Sequence, residues 1–136
     1  MPDLSTLRVL VVDDMKVMRN IISKGLKKMG FEVIEVAEDG IPAWGLLESK
    51  HSEKTPIQLV VSDWNMPGMT GLDLLKKVRS DERFKTLPFI MVTAEGEQAS
   101  VVSAIKAGVT NYITKPFTNE TFEAKLGKVL KTMDAK

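Results

Sequence analysis

The sequence predicts an α/β fold: a doubly wound parallel sheet of five strands with helices on both faces. Three observations predict it. Five short apolar runs alternate with five segments of helical period along the chain. The runs have the length and β-branched content of strands buried on both faces, as parallel strands are. The first and third, Val9-Leu10-Val11-Val12 and Leu59-Val60-Val61-Ser62, are each followed at once by acid, Asp13-Asp14 and Asp63.

The elements follow in order. After the first strand, a helix from about Lys16 to Met29 places Val17, Met18, Ile21, Ile22, Leu26 and Met29 on one face, with Gly30 as its C-cap. Glu32 to Val36 is the second strand. The second helix runs from about Pro42 to Lys50, with proline in its first turn, where a missing N–H is harmless. A polar loop, His51 to Pro56, leads into the third strand, which ends at Asp63. Thr70 caps a third helix carrying Leu72, Leu74, Leu75 and Val78. Pro88 opens the fourth strand, Phe89 to Val92, which ends on Thr93. A fourth helix spans about Gln98 to Ala107 and stops at Gly108. The fifth strand is Asn111 to Thr114, and the last helix carries Phe122, Leu126, Val129, Leu130 and Met133. Gly25, Gly45 and Gly127 each cost a helix ~1 kcal/mol relative to alanine, so these helices depend on packing against the sheet. Right-handed crossovers give the expected strand order 2-1-3-4-5, with its switch point between strands one and three.

The 136 residues fit one domain, 1–136 with a core of about 7–133, able to bury a core without disulfides. Nineteen basic and eighteen acidic residues leave a net charge of +1, so no global field recruits nucleic acid or an anionic membrane. The absence of cysteine excludes a disulfide framework and thiolate chemistry. The amino terminus lacks the pattern of a signal peptide, and no apolar stretch approaches ~20 residues. A cytoplasmic, monomeric protein is expected.

At the switch point, carboxylates crowded together ionise only if a cation shares the site. Lys115, after the strand-like Asn111-Tyr112-Ile113-Thr114, supplies a fixed positive charge, and Mg2+ an exchangeable one. Asp13, Asp14 and Asp63 suit a hard cation that takes oxygen ligands, and the backbone carbonyl of Asn65, two residues after Asp63, can face the same ion. If Asp63 attacked a phosphoryl donor, the ion and Lys115 would neutralise the equatorial oxygens, giving an aspartyl phosphate. The hydroxyl of Thr93 can then bond that phosphoryl group, and the Tyr112 ring can fill the space Thr93 leaves, which couples two states. Taken singly, each of these residues has a plainer reading. An aspartate after a strand is usually a turn former or cap, Thr93 a strand-end residue, Tyr112 a packing residue and Lys115 a solvated lysine. Three aspartates on the two switch-point strands, together with Lys115, reverse the odds toward chemistry, and for Thr93 its position between Met91-Val92 and Ala94-Glu95 carries the functional case. His51 reads as a loop residue, and Trp64, beside Asp63, as a reporter of the site.

The segments Val11-Val12-Asp13-Asp14, Ser62-Asp63-Trp64-Asn65-Met66-Pro67-Gly68-Met69-Thr70-Gly71, Met91-Val92-Thr93-Ala94-Glu95 and Tyr112-Ile113-Thr114-Lys115-Pro116-Phe117 resemble receiver domains of two-component response regulators, and among them the CheY type. The resemblance covers essentially the whole chain. It implies the flavodoxin-like receiver fold, with Asp63 as phosphoacceptor and Asp13, Asp14 and Asn65 as Mg2+ ligands. It also implies Thr93 and Tyr112 as a switch pair, and Lys115 contacting the phosphoryl group before a cis peptide at Pro116. A chemotaxis histidine kinase is the implied phosphodonor, a flagellar motor switch protein the implied target, and a dedicated phosphatase a further partner. The protein would be a signalling switch rather than an enzyme, catalysing only its own phosphorylation and dephosphorylation. Met15, Glu97-Gln98 and the longer loop before strand three depart from the chemotaxis pattern, and they touch partner surfaces more than the acidic pocket.

Three other functions compete. A phosphatase of the haloacid dehalogenase type needs a second aspartate two residues after the nucleophile, where this chain has Asn65. A flavin-binding module would hold a phosphate on the first strand-helix loop, where Asp13-Asp14 repel it. A stand-alone receiver or phosphorelay carrier of another pathway keeps the chemistry and changes the partners.

Overall fold

The computed structural model describes residues 3–66, 68–94 and 98–134. Pro67 of the expected turn after Asn65, and Glu95 and Glu97 after Thr93, lie outside them. The elements are β1 (Arg8–Val12), α1 (Lys16–Met29), β2 (Val33–Ala37), α2 (Gly40–Ser52), β3 (Leu59–Asp63), α3 (Gly71–Ser80), β4 (Phe89–Ala94), α4 (Gln98–Lys106), β5 (Asn111–Lys115) and α5 (Asn119–Asp134). All strand pairings are parallel, and the order is β2-β1-β3-β4-β5. Fold class and strand order are those the sequence predicts.

Strand alternation divides the core in two. Val9, Val11, Val61, Ile90, Val92 and Ile113 face Ile22 and Leu26 of α1 and Phe122, Leu126 and Val129 of α5. Leu10, Val12, Val60, Phe89 and Met91 face Ala43 and Leu47 of α2 and Leu74, Leu75 and Val78 of α3, with Ala107 and Val109 beyond α4 packed on the same side. Both faces of the central strands are dry, which is why those strands read as continuous apolar runs.

Three local expectations shift. The second strand is Val33–Ala37, one residue later than expected, because Val12 pairs with Ala37 and the Asp13 N–H donates to the Ala37 carbonyl at 3.1 Å. The second helix begins at Gly40, where the Asp39 carboxylate accepts from the Ile41 N–H at 2.8 Å, and it continues through the polar His51 and Ser52. That end has no apolar periodicity, so the pattern underestimates its length. In α1, Val17 and Ile21 are exposed, because the buried ridge follows Met18, Ile22, Leu26 and Met29. They fall one residue, or about 100°, behind that ridge. Gly30 closes α1 with φ 119°, and the Thr70 hydroxyl accepts from the Asp73 N–H at 3.2 Å to cap α3. Among the described residues, no helix is long and apolar enough to cross a membrane.

Candidate functional site

The register assembles the acidic cluster. Val11 pairs with Val61 and Val12 with Ser62, so Asp13 and Asp63 lie opposite each other one step further along β1 and β3. By alternation both carboxylates share the face of Val11 and Val61. Asp14, next in the chain, is exposed. One oxygen from each of Asp13, Asp14 and Asp63 lies within 4.8 Å of the others. Asp13 is fully buried and Asp63 is 6 % exposed.

Lys115 closes the cluster from β5, two strands away. It ends β5 on the same face as Ile113, and its side chain reaches back over β4 to Asp63 Oδ1 at 3.1 Å and Asp13 Oδ2 at 3.5 Å. The Lys115–Pro116 peptide is cis. Asp63 Oδ1 also accepts from the Trp64 N–H at 2.8 Å, so Oδ2 is the oxygen without a hydrogen bond among the described residues. The Met15 N–H, at 2.9 Å, holds Asp13 Oδ1. Burial, reinforced by the Asp13 charge, pushes the Asp63 carboxyl above the usual aspartate range, against the pull of Lys115. A second cation would relieve that excess of negative charge, so the donor set, all oxygen and under-neutralised, fits Mg2+.

The remaining expected residues fall at different distances from this centre. Asn65 is exposed and lines an open depression with Asp14, Met66 and Thr70. Thr93 ends the apolar part of β4 and is 1 % exposed, and among the described residues its buried Oγ1 has no hydrogen-bond partner. A buried hydroxyl without a partner is costly. Tyr112 stands across from Met91 and Thr93 across from Thr114, so ring and hydroxyl share a face but are offset by two residues. The ring is half-buried against the α2/α3 side of the core. Trp64 packs partly against the same side, while His51 meets Phe84 edge-on at 5.6 Å.

Two residues at the site escape the sequence reading. Arg19 Nη1 donates to the Asp13 carbonyl at 2.7 Å. Its signal is a basic residue in the first turn of α1, where the helix dipole disfavours positive charge. Gly71 opens α3 against the backbone of Asp63, and a Cβ there would overlap the Asp63 carbonyl oxygen. Its signal is a glycine directly after the Thr70 cap, where the helix itself asks for none.

An open sheet with a cation-ready carboxylate cluster at its switch point, a lysine on the last strand and a buried threonine hydroxyl at the end of β4, the strand next to Asp63, defines a phosphorylation-responsive receiver. The chain belongs to the response regulator receiver family, whose sequence pattern, described as Response regulator receiver domain, matches residues 9–127. Within that family it groups with the CheY type of chemotaxis. It is 50% identical over 128 residues to Chemotaxis protein CheY1 of Helicobacter pylori, spanning 94% of this chain and 100% of that one. Against Chemotaxis protein CheY of Pseudomonas aeruginosa the identity is 42% over 128 residues, 94% of this chain and 99% of the relative. The solved structure of Chemotaxis response regulator CheY4 of Vibrio cholerae superposes with a TM-score of 0.78 at 32% identity, covering 90% of this chain and 98% of that one.

Proposed function

We propose that the chain is a single receiver domain that takes a phosphoryl group on Asp63 and, so modified, binds a flagellar motor switch protein to control rotation in chemotaxis. The observation that carries this reading is the buried Asp63, paired at 3.1 Å with Lys115 and crowded by Asp13 and Asp14. The donor is the phosphohistidine of a chemotaxis histidine kinase. Asp63 Oδ2 attacks phosphorus, the P–N bond breaks with its electron pair remaining on the donor imidazole, and an acyl phosphate forms. Hydrolysis returns the carboxylate and inorganic phosphate, with or without a dedicated phosphatase.

Asp13, Asp14, Asp63 and the Asn65 carbonyl would hold Mg2+, which supplies positive charge to offset that gathering on the phosphoryl oxygens. Lys115 orients and neutralises from the other side. Thr93 then gains the acceptor it lacks, and Tyr112 moves into the space it vacates, which biases the α4, β5 and α5 surface toward its partner. The protein acts as a cytoplasmic monomer and turns over no substrate but its own acyl phosphate.

Trp64 fluorescence tests the reading, with Trp44 as background. Wild type should respond to Mg2+ and again to acetyl phosphate, with mass spectrometry finding one added phosphoryl group. Asp63→Asn should lose the second response. Phosphorylation of Asp63→Asn to the wild-type extent would remove Asp63 from the role. Phosphorylated protein that a flagellar switch peptide fails to capture would favour another receiver pathway.

A further inference from the structure

Tyr112 and Lys125 are joined in an arrangement that the acidic site does not explain. β5 is an edge strand of the sheet, and Tyr112 lies on its α2/α3 side, while α5 packs on the other. Yet the Lys125 ammonium stands 4.8 Å over the centre of the Tyr112 ring. Lys125 precedes the buried Leu126 on α5, and its stem reaches around the open edge of β5 to place its charge on the ring. Among the described residues that ammonium makes no ion pair, so the ring is its specific neighbour. On the sheet side, the same ring is offset by two residues from the unpartnered hydroxyl of Thr93.

We infer that Lys125 is a positioning residue that holds the Tyr112 ring in its half-buried place by a cation–π contact and so opposes the ring's movement toward Thr93. This rests on the reading of Thr93 and Tyr112 as a coupled pair. A cation over a tyrosine at a partly exposed site shifts an equilibrium by roughly two- to fivefold. The contact is made with the ring in this half-buried place, and a ring that moved toward Thr93 would leave it, so the contact favours the resting state. By linkage, a ligand at Asp63 that draws Thr93 inward must work against it, and removal of the cation should tighten that ligand's apparent binding by the same factor.

The chain has one tyrosine, so fluorotyrosine incorporation yields a single fluorine resonance reporting Tyr112 alone. The probe is beryllium fluoride with Mg2+, a stable stand-in for the phosphoryl group. It is titrated into wild type, Lys125→Met and Lys125→Arg, with Lys125→Gln as a polar variant should Lys125→Met not fold. The expected result is a resonance that moves on saturation in wild type, half-saturates at ~2–5-fold lower probe concentration in Lys125→Met, and is restored to wild-type behaviour by Lys125→Arg. A Lys125→Met midpoint equal to wild type, with the resonance moving in both, overturns the role of Lys125 and leaves the switch pair standing. A resonance that stays still in wild type while Trp64 reports probe binding overturns the Tyr112 half of the switch, and the role of Lys125 with it.

Discussion

Lys115 Nζ lies 3.1 Å from Asp63 Oδ1, yet the Asp63 carboxyl holds its proton more tightly than an ordinary aspartate does. Burial is the larger cause and the Asp13 carboxylate the second, and together they outweigh the lysine. The cluster is therefore left with excess negative charge. A divalent cation is the species that removes such an excess.

That imbalance predicts a pH-dependent stability. A carboxyl whose folded pKa lies above its unfolded value contributes stability below the unfolded value, and that contribution is lost as pH rises through the folded one. At neutral pH without divalent cations, ionised Asp63 therefore works against folding. Asp63→Asn should melt a few degrees above wild type at pH 7 in chelator, and the gap should close as pH falls below ~4. Mg2+ should also narrow it, because it stabilises wild type more than a variant that has one carboxylate fewer. Calorimetric melting along a pH series reads this, and equal melting temperatures at pH 7 in chelator would contradict the imbalance.

Thr93 makes the second case. Its buried hydroxyl has no partner among the described residues, so replacing it by valine, which keeps the shape and drops the polar atom, should stabilise the unphosphorylated protein by about 1–3 kcal/mol. The same variant should still accept a phosphoryl group, but its Tyr112 fluorine resonance should no longer respond. Denaturant unfolding measures the first effect. A destabilised Thr93→Val would mean that the hydroxyl is satisfied in solution and is not held in reserve for a ligand.

The sheet is legible in the sequence because its strands are buried on both faces, and a dry strand must be a continuous apolar run. Convergence of Asp13, Asp14 and Asp63 is legible for the same reason: once runs one and three are neighbours, their carboxyl ends meet at the switch point. The start of α2 escapes because its cap, Asp39, sits in a polar stretch resembling a loop, and the outward turn of Val17 and Ile21 is set by which α1 ridge meets α5. Arg19 and Gly71 act on main-chain atoms, the Asp13 and Asp63 carbonyls. Side-chain chemistry announces itself in residue types, whereas backbone contacts made across the fold do not.

Mg2+ binding separates Asp14 from Arg19. Asp14 offers an exposed carboxylate to the cluster, and losing one unit charge beside a dication costs at least ~1 kcal/mol even in a watery setting, so Asp14→Asn should weaken Mg2+ binding about fivefold or more. Arg19→Met leaves every carboxylate in place and frees only the Asp13 carbonyl. It should weaken binding less than Asp14→Asn does. Titration of Trp64 fluorescence gives both constants, and unchanged affinity in Asp14→Asn would remove that residue from the ligand set.

Two glycines in helical positions should respond to alanine in opposite directions. Gly45 lies inside α2 with nothing beyond its chain neighbours and its own helix backbone within 4 Å of where a Cβ would stand, so Gly45→Ala gains helix propensity without a clash. The gain should be ~1 kcal/mol, or about 4 °C in melting temperature. Gly71 is the first residue of α3, and its added Cβ would meet the backbone carbonyl of Asp63, which cannot rotate away as a flexible side chain can. Gly71→Ala must push α3 away from β3 or tilt the Asp63 peptide, at a cost of about 1–3 kcal/mol or more. Because Asp63 is the residue displaced, Gly71→Ala should also slow labelling by acetyl phosphate, while Gly45→Ala labels at the wild-type rate. A Gly71→Ala protein that is as stable as wild type and labels as fast would mean that the approach of α3 to Asp63 has slack, and that the glycine serves neither the packing nor the placement of the carboxylate.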